Sequence, residues 1–307
     1  DGRKLPDIRK STHVAGGVTE EAARQTGLAA GTPVVLGGGD GCVANIGCGS
    51  IAPGKTYCCM GTSAWITTTS EKPIFDEKMR TVTWAHVIPG LYAPNGTMQY
   101  AGGAYNWIKE NICLKECYDA KVNGTSPYEY MNRQIEGSPA GANGVIFLPY
   151  LLGERAPRWN PDAKGAWIGI KPENTRGDIL RSVLEGVTMN LGICLDILRT
   201  QVDIDEILVI GGGAKGDVWR QMMADIYHAK ISVPDLLEEA GSMGAAVIGG
   251  VGTGMFKDFQ AIDKFISIRK TQEPDIAAAE AYKPVKELFD ACYFALEDVF
   301  KKMSRRI

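Results

Sequence analysis

Histidine is scarce in this sequence, and cysteine does not occur in a metal-binding spacing. The 307 residues include 3 histidines and 8 cysteines, and no Cys-x-x-Cys pair is present. Cys58 and Cys59 are adjacent, and Cys113 and Cys117 are one helical turn apart without other ligands nearby. A zinc site is therefore not expected, and we interpret the cysteines as reduced, mostly buried thiols of a cytoplasmic protein.

Long apolar runs and a strong net charge are also absent. No run of about 18 apolar residues occurs, so no membrane span is expected. The formal net charge of −3 provides no electrostatic footprint for nucleic acid or for an anionic membrane. A hydrophobic content of 45% is enough for a full core in one large or two modest domains.

Glycine is abundant, and the first glycine-rich turn ends in an aspartate. Residues 33–36 read as a short buried strand, three glycines follow, and residues 42–46 are apolar enough to begin a helix. Asp40 therefore lies at a helix N-terminus, facing the crevice above the strand ends. Two interpretations stay open at this point: an N-cap after a glycine turn, or a carboxylate aimed at a substrate hydroxyl.

The second turn, Gly61-Thr62-Ser63, joins two predicted strands, Thr56–Met60 and Ala64–Thr68. Two β-rich runs joined in this way predict a hairpin. Its tip offers backbone amides and two hydroxyls, which are donors for phosphate oxygens. The alternative is an ordinary turn.

The third turn, residues 211–214, lies between a predicted strand at Glu206–Ile210 and a predicted helix at Asp217–Tyr227. Its three glycines would let a flat ligand lie against the backbone. The pattern is neither GxGxxG nor a P-loop, so a structural turn remains an alternative.

The remaining pattern predicts mixed strands and helices. Helices are expected at residues 19–27, 178–198, 242–250 and 284–303, whereas residues 119–143 read as polar and loop-rich, with a short helix near 128–134. Such an alternation indicates an α/β layered fold.

A more specific pattern occurs at residues 165–185. Gly165–Ile170, followed after seven residues by Asp178–Glu185, agrees at every constrained position with a signature of the FGGY carbohydrate kinases. The loops at 153–160 and 162–165 resemble those preceding that signature in pentulose and gluconate kinases. The chain thus resembles the C-terminal part of this family. The resemblance implies an α/β, actin/hexokinase-like (ribonuclease H-like) fold and the C-terminal lobe of a two-lobed kinase.

The resemblance also implies roles for the three turns. Asp40 matches the catalytic aspartate, and Gly61, Thr62 and Ser63 match the second phosphate motif. The adenosine motif is matched by Gly211, Gly212, Gly213, Ala214 and Lys215, with Trp219, Gln221 and Asp225. A serine often found where Gly216 stands is missing, which puts one polar contact in doubt. ATP and Mg²⁺ are the implied cofactors, and no metal ligand is assigned to this chain, because the ATP phosphates and the other lobe would hold the ion.

Domain boundaries follow from the same resemblance. Residues 1–50 resemble the end of the N-terminal lobe, and residues 51–307 resemble the whole nucleotide-binding lobe. The strand–Asp–Gly–Thr turn that opens the family's first domain does not occur in this sequence. We therefore expect half of a two-lobed enzyme that is inactive alone, and its open interface is expected to favour a homodimer or aggregation.

The implied activity is phosphorylation of a sugar hydroxyl by ATP. Xylulose is the leading substrate, but the Gly153-Glu154-Arg155 loop is shared with gluconate kinases, so gluconokinase and other pentulose or polyol kinases stay open. Two other classes also remain: a non-catalytic nucleotide-binding module of the same superfold, and a purely structural fragment.

Overall fold

A seven-stranded sheet forms the centre of the molecule, in a computed structural model that describes Lys4 and residues 6–305. The elements in chain order are β1 (Val14–Gly17), α1 (Glu20–Thr26), β2 (Pro33–Val35), α2 (Asp40–Gly47), β3 (Thr56–Met60), β4 (Ala64–Thr68), β5 (Val82–Ala85), β6 (Tyr92–Met98), α3 (Gly102–Asn111), α4 (Leu114–Asn123), α5 (Pro127–Glu136), β7 (Ile146–Pro149), β8 (Gly165–Ile168), α6 (Arg176–Leu198), β9 (Glu206–Ile210), α7 (Asp217–Tyr227), β10 (Lys230–Pro234), α8 (Ala240–Gly252), β11 (Ile268–Gln272) and α9 (Ile276–Ser304).

The large sheet has the strand order β11-β10-β9-β3-β4-β6-β5, and β1–β2 and β7–β8 form separate antiparallel pairs. Strands β3, β9 and β10 run parallel, with Cys59 opposite Ile210 in the β3–β9 register. The C-terminal ends of β3 and β9 therefore lie side by side. The mixed α/β fold predicted from the sequence is confirmed.

Strand β3 separates two layers of core. Cys58 and Met60 pack into the main core with α6, whereas Tyr57 and Cys59 pack on the opposite face with Ala240 of α8. Side chains alternate along a strand, so the two adjacent cysteines point in opposite directions. All eight cysteines are free, as the sequence predicted.

Helices α2 and α8 pack closely through glycines. A Cβ at Gly47 would overlap the Ala240 carbonyl, and one at Gly244 would overlap the Val43 carbonyl. Residues before and after the predicted boundary at 50 are thus in intimate contact, and that boundary stays a prediction. Within the described residues, no helix combines the length and the apolar character that a membrane span needs.

Several predicted elements are confirmed, and two expectations are wrong. The strand at 33–36 forms, but it is not buried: Val34 is 46% exposed, because β2 pairs only with β1 in a two-stranded ladder. The stretch 119–143 is more helical than expected, since α4 and α5 occupy much of it. In α4 only Glu116 and Ala120 are buried, so its sequence shows little apolar periodicity.

Candidate active site

A cleft of about 800 Å³ opens at the C-terminal ends of β3 and β9. It is lined by two of the three predicted turns and by α3, α5, α6 and α7, through Met60, Gly61, Thr62, Tyr100, Gly102, Gly103, Tyr105, Asn106, Ser126, Tyr128, Glu129, Asn132, Leu184, Gly212, Gly213, Lys215, Gly216 and Trp219. The parallel pairing of β3 with β9 brings the turns together, although they are far apart in the sequence.

The hairpin turn is held by backbone hydrogen bonds from the start of α3. Ala101 N and Gly103 N donate to the Thr62 carbonyl at 2.8 and 3.0 Å, and Gly102 N donates to the Gly61 carbonyl at 2.9 Å. These carbonyls satisfy first-turn amides of α3, which has no side-chain cap. The N-terminus of α3 is therefore occupied by the turn.

The donors in this turn differ from those predicted. Gly61 N donates to the Ser63 carbonyl at 3.0 Å, so the Gly61 amide is not free for a phosphate. The hydroxyls of Thr62 and Ser63 make no hydrogen bond within residues 6–305. Thr62 lines the cleft, whereas Ser63 lies outside its lining. The donors available to a phosphate are thus the two hydroxyls and the backbone amides of Thr62 and Ser63.

The triple-glycine turn uses its glycines for different purposes. Gly211 has φ of 85°, and a Cβ there would lie 2.8 Å from the Met60 carbonyl; a Cβ at Gly213 would overlap the Met60 side chain. At Gly212 nothing lies within 4 Å of an added Cβ. Gly211 and Gly213 therefore permit packing on β3, and Gly212 leaves backbone open to a ligand.

Ala214 and Lys215 complete this turn, in contrasting environments. Ala214 is fully buried, and its carbonyl accepts a hydrogen bond from the buried Arg220. Ala214 therefore exposes no surface for the contact with a nucleotide that the resemblance implies. Lys215 lines the cleft, where Nζ lies 3.1 Å from Oε1 of Glu238, with both side chains exposed. An exposed pair of this kind is weak, so Lys215 stays available to an anion.

Aromatic side chains form one wall of the cleft. The rings of Tyr105 and Tyr128 lie 5.3 Å apart, and Tyr105 OH donates to Oδ1 of Asn132 at 3.0 Å. Trp219 Nε1 donates to the Thr188 hydroxyl at 3.0 Å, which fixes the indole ring. Burial raises the pKa of Tyr105, so it remains a neutral donor. A wall of this composition suits a flat, uncharged base.

Two residues of the implied adenosine motif lie elsewhere. Gln221 Nε2 donates to Oδ1 of Asp225 at 2.8 Å, and the same oxygen accepts from Asp275 N at 2.8 Å. Asp275 is the N-cap of α9. Gln221 and Asp225 therefore connect α7 to α9, and they are absent from the cleft lining.

Asp40 is exposed and is the first residue of α2, with Gly39 as the N-cap; the N-cap interpretation of Asp40 is therefore wrong by one position. Its Oδ1 accepts from the Gly41 amide at 2.8 Å. Tyr57 OH donates to the Gly41 carbonyl at 3.1 Å, which ties this end of α2 to β3. Among residues 6–305, Asp40 is not one of those that line the cleft.

Two carboxylates of the signature that carries the resemblance have structural roles in this protein. Glu185 is buried and its Oε1 accepts from Gly141 N at 3.0 Å, Arg181 Nε at 2.6 Å and Tyr282 OH at 2.7 Å. Asp178 forms the reciprocal capping box of α6 with Thr175. These carboxylates join α6 to its neighbours and do not contact the cleft.

The described residues contain no ready-made metal site. Among the residues that the structure describes, no group of three or more His, Cys, Asp or Glu side chains could hold an ion. Asp40 is a single carboxylate in solvent. The chemistry of the donor set is therefore compatible with an ion held mainly by a bound nucleotide.

The chain belongs to the FGGY family of carbohydrate kinases. Residues 56–253 match the C-terminal domain of that family, and residues 1–47 match its N-terminal domain. The actin/hexokinase-like fold inferred from the sequence is confirmed by solved structures that share it.

Relatives with different names are about equally similar. A gluconokinase of Bacillus licheniformis is 33% identical over 286 residues, covering 92% of this chain and 55% of that protein. A xylulose kinase of Staphylococcus epidermidis is 31% identical over 294 residues, covering 95% and 57%. A ligand-bound xylulose kinase structure from Lactobacillus acidophilus has a TM-score of 0.90 at 25% identity, covering 99% of this chain and 60% of that one. The chain spans little more than half the length of these relatives.

Proposed function

We propose that this chain carries the nucleotide-binding part and the catalytic aspartate of an ATP-dependent sugar kinase. The observation that carries the proposal is the cleft at the C-terminal ends of β3 and β9, where the Gly61–Thr62 turn faces the Gly212–Gly213 turn. Donors for phosphate lie on one side and an aromatic wall for a base lies on the other. A non-catalytic nucleotide module would share the cleft but would leave Asp40 without a role.

In the proposed reaction, each group has a simple task. The hydroxyls of Thr62 and Ser63 and nearby amides bind phosphate oxygens, and the aromatic wall with Gly212 holds the adenosine. Asp40 accepts the proton of the attacking sugar hydroxyl and orients it in line with the γ-phosphate. Mg²⁺ bound to the ATP phosphates would neutralise charge on the transferring group.

A second lobe is part of this proposal. Asp40 lies outside the cleft lining, and the N-terminal domain of the family matches residues 1–47 of this chain. We propose that the rest of an FGGY N-terminal lobe, in the same polypeptide or a second one, supplies the first phosphate motif and most sugar contacts. Closure of the two lobes would exclude water from the reaction. Homodimer formation and a cytoplasmic location stay predictions.

The substrate is proposed as D-xylulose, with D-gluconate as the alternative. Relatives of both names match at similar identity, so the choice is made by assay. The protein, with its N-terminal lobe supplied, is tested for ATP-dependent phosphorylation of D-xylulose, D-gluconate and a panel of pentuloses and polyols. A preference for gluconate would replace the leading assignment, and ATP binding without phosphorylation of any of these sugars would favour the non-catalytic class.

The catalytic role is tested by Asp40→Asn. Asparagine keeps the size of the side chain and can still accept from the Gly41 amide, but it cannot take a proton. We expect sugar phosphorylation to fall roughly 100-fold or more, with ATP affinity little changed. Asp203→Asn, another exposed aspartate, is the matched control. Turnover within about threefold of the unmodified protein would remove Asp40 from the base role.

A further inference from the structure

Glu154 is a buried carboxylate that the proposed reaction does not use. It is 5% exposed, and it accepts three hydrogen bonds: from Gln99 N at 2.6 Å, Arg155 N at 2.8 Å and Asn190 Nδ2 at 2.8 Å. Burial raises its pKa to about 7, against these donors, which favour the ionised form. Burial of an ionisable group costs free energy of folding. The hydrogen bonds of Glu154 show which segments of the chain it holds in place.

The loop that contains Glu154 lies along the end of β6. Ala156 N donates to the Thr97 carbonyl at 3.0 Å, and Arg155 Nη2 donates to the Met98 carbonyl at 3.3 Å. The shortest contact in this series joins Glu154 to the amide of Gln99, the residue that follows β6. Glu154 thus fixes the point where the chain leaves the sheet.

The chain that leaves the sheet here goes directly to the phosphate-binding turn. Two residues after Gln99, the amides of residues 101–103 donate to the carbonyls of Gly61 and Thr62. In a trans peptide the carbonyl and the following N–H point in opposite directions. Holding these two carbonyls therefore directs the amides of Thr62 and Ser63 away from residues 101–103.

We propose that Glu154 is a positioning residue for phosphate binding: through the Gln99 amide it fixes residues 101–103, which orient the Gly61–Ser63 turn toward the nucleotide phosphates. The inference rests on the proposed function of that turn. If Glu154 held only its own loop, its contacts with Arg155 and Asn190 would be needed, but the short hydrogen bond from Gln99 would not.

The test compares nucleotides that differ in phosphate number, in the protein with its N-terminal lobe supplied. In Glu154→Gln, the backbone amides of Gln99 and Arg155 would face either the N–H₂ group or the neutral oxygen of the new side chain. We expect the affinity for ADP and ATP to fall roughly tenfold, with the affinity for AMP within about twofold. Amides of Gln99 and residues 101–103 should exchange hydrogen faster.

Glu185→Gln is the matched control, because Glu185 is also buried and accepts three donors but has no bond to the turn. It should lower the melting temperature and leave all three nucleotide affinities within about twofold. Equal losses for AMP and ADP, or unchanged ADP affinity, in Glu154→Gln would overturn the inference. If Glu154→Gln does not fold, Glu154→Asp, whose shorter side chain cannot reach Gln99, is judged by the same criterion.

Failure of the proposed function gives a different result. In that case the unmodified protein would bind ADP no more tightly than AMP, and Thr62→Ala would change neither affinity. A preference for ADP that Thr62→Ala removes, but Glu154→Gln does not, contradicts only the positioning role.

Discussion

Gly212 and Gly213 are neighbours in one turn, but an added side chain would meet different surroundings at each. Beside Gly213 stands the side chain of Met60, which a Cβ would overlap, whereas Gly212 has open space. Substitution at Gly213 therefore tests packing between β9 and β3, and substitution at Gly212 tests the ligand surface. The two effects are separable only because the structure distinguishes these residues.

Gly212→Val should weaken ATP binding by about fivefold or more while the protein keeps its melting temperature, because the branched side chain occupies the cleft and displaces no protein atom. Calorimetry with ATP, alongside thermal unfolding, measures both quantities. Gly213→Ala is the comparison, and it should lose about 1–3 kcal/mol of unfolding free energy through overpacking. Unchanged ATP affinity in a folded Gly212→Val protein would make the turn merely structural.

Glu154 gives the molecule a specific dependence on pH. Its pKa rises from 4.5 to about 7 on folding, chiefly by burial, so between these values the native state binds more protons than the unfolded state. The free energy of unfolding should therefore fall as pH rises from about 4.5 to 7, by roughly 1–3 kcal/mol in total, and then level off. Glu154→Gln should remove this slope.

Urea unfolding at several pH values between 4.5 and 8 measures the difference between the two proteins. The other ionisable groups that face Glu154 are Arg155, Tyr150 and Cys194, and burial raises the pKa of Tyr150 and Cys194 far above this range. Tyr150 and Cys194 therefore contribute no slope of their own between pH 4.5 and 8. A constant difference across this pH range would show that Glu154 does not titrate there.

The sequence indicated the turns of the candidate site better than its walls. Gly61, Thr62, Gly212 and Gly213 were predicted from glycine patterns beside apolar runs, and all four line one cleft. Of the aromatic wall, Trp219 was implied by the family resemblance, whereas Tyr105, Tyr128 and Asn132 come from helices separated along the chain, so no local spacing joins them. Only the packing of α3, α5 and α7 brings these side chains together.

At the scale of elements, the contact between α2 and α8 depends on small residues. Gly244→Ala should destabilise the protein by about 1–3 kcal/mol, because its Cβ would overlap the Val43 carbonyl and force the helices apart. Gly241→Ala is a control in the same helix, with nothing within 4 Å of the new Cβ. It should be neutral or stabilising by about 0.5–1 kcal/mol, as alanine is in helices. Equal effects in denaturant unfolding would contradict this account.

Which elements could be predicted follows from how each is buried. Helix α6 begins two residues before its predicted start and ends at Leu198 as expected, because a long apolar stripe and a capping residue define it. Strand β11 was missed, since it lies at the sheet edge and four of its five residues are exposed. Pro284 suggested the start of α9 but lies inside it; burial of Tyr282 and Phe289 holds the helix on both sides.

At the scale of the whole molecule, the proposed second lobe leads to a prediction for this chain alone. Orientation of reactants is worth on the order of 7 kcal/mol or more of the barrier, and most of it would be lost without the contacts proposed for the second lobe. The 307-residue chain should show at most weak ATP binding and no sugar phosphorylation. ADP release with D-xylulose and D-gluconate, with and without added N-terminal lobe, is the measurement. Robust sugar-dependent turnover by the chain alone would refute the two-lobe argument.

The parallel pairing of β3 with β9 also bears on how proteins of this shape can vary in length. Between the two strands the chain passes through β4–β8 and α3–α6, which supply the aromatic wall of the cleft, whereas the facing of the two turns is set by the pairing of β3 with β9. Insertions in exposed connections, such as the one after α4 where Gly124 has φ of 64°, would change neither register nor the facing of the turns. Differences in length among homologues should therefore concentrate in the exposed connections of that segment, while β3, β9 and the helices that line the cleft keep a constant size.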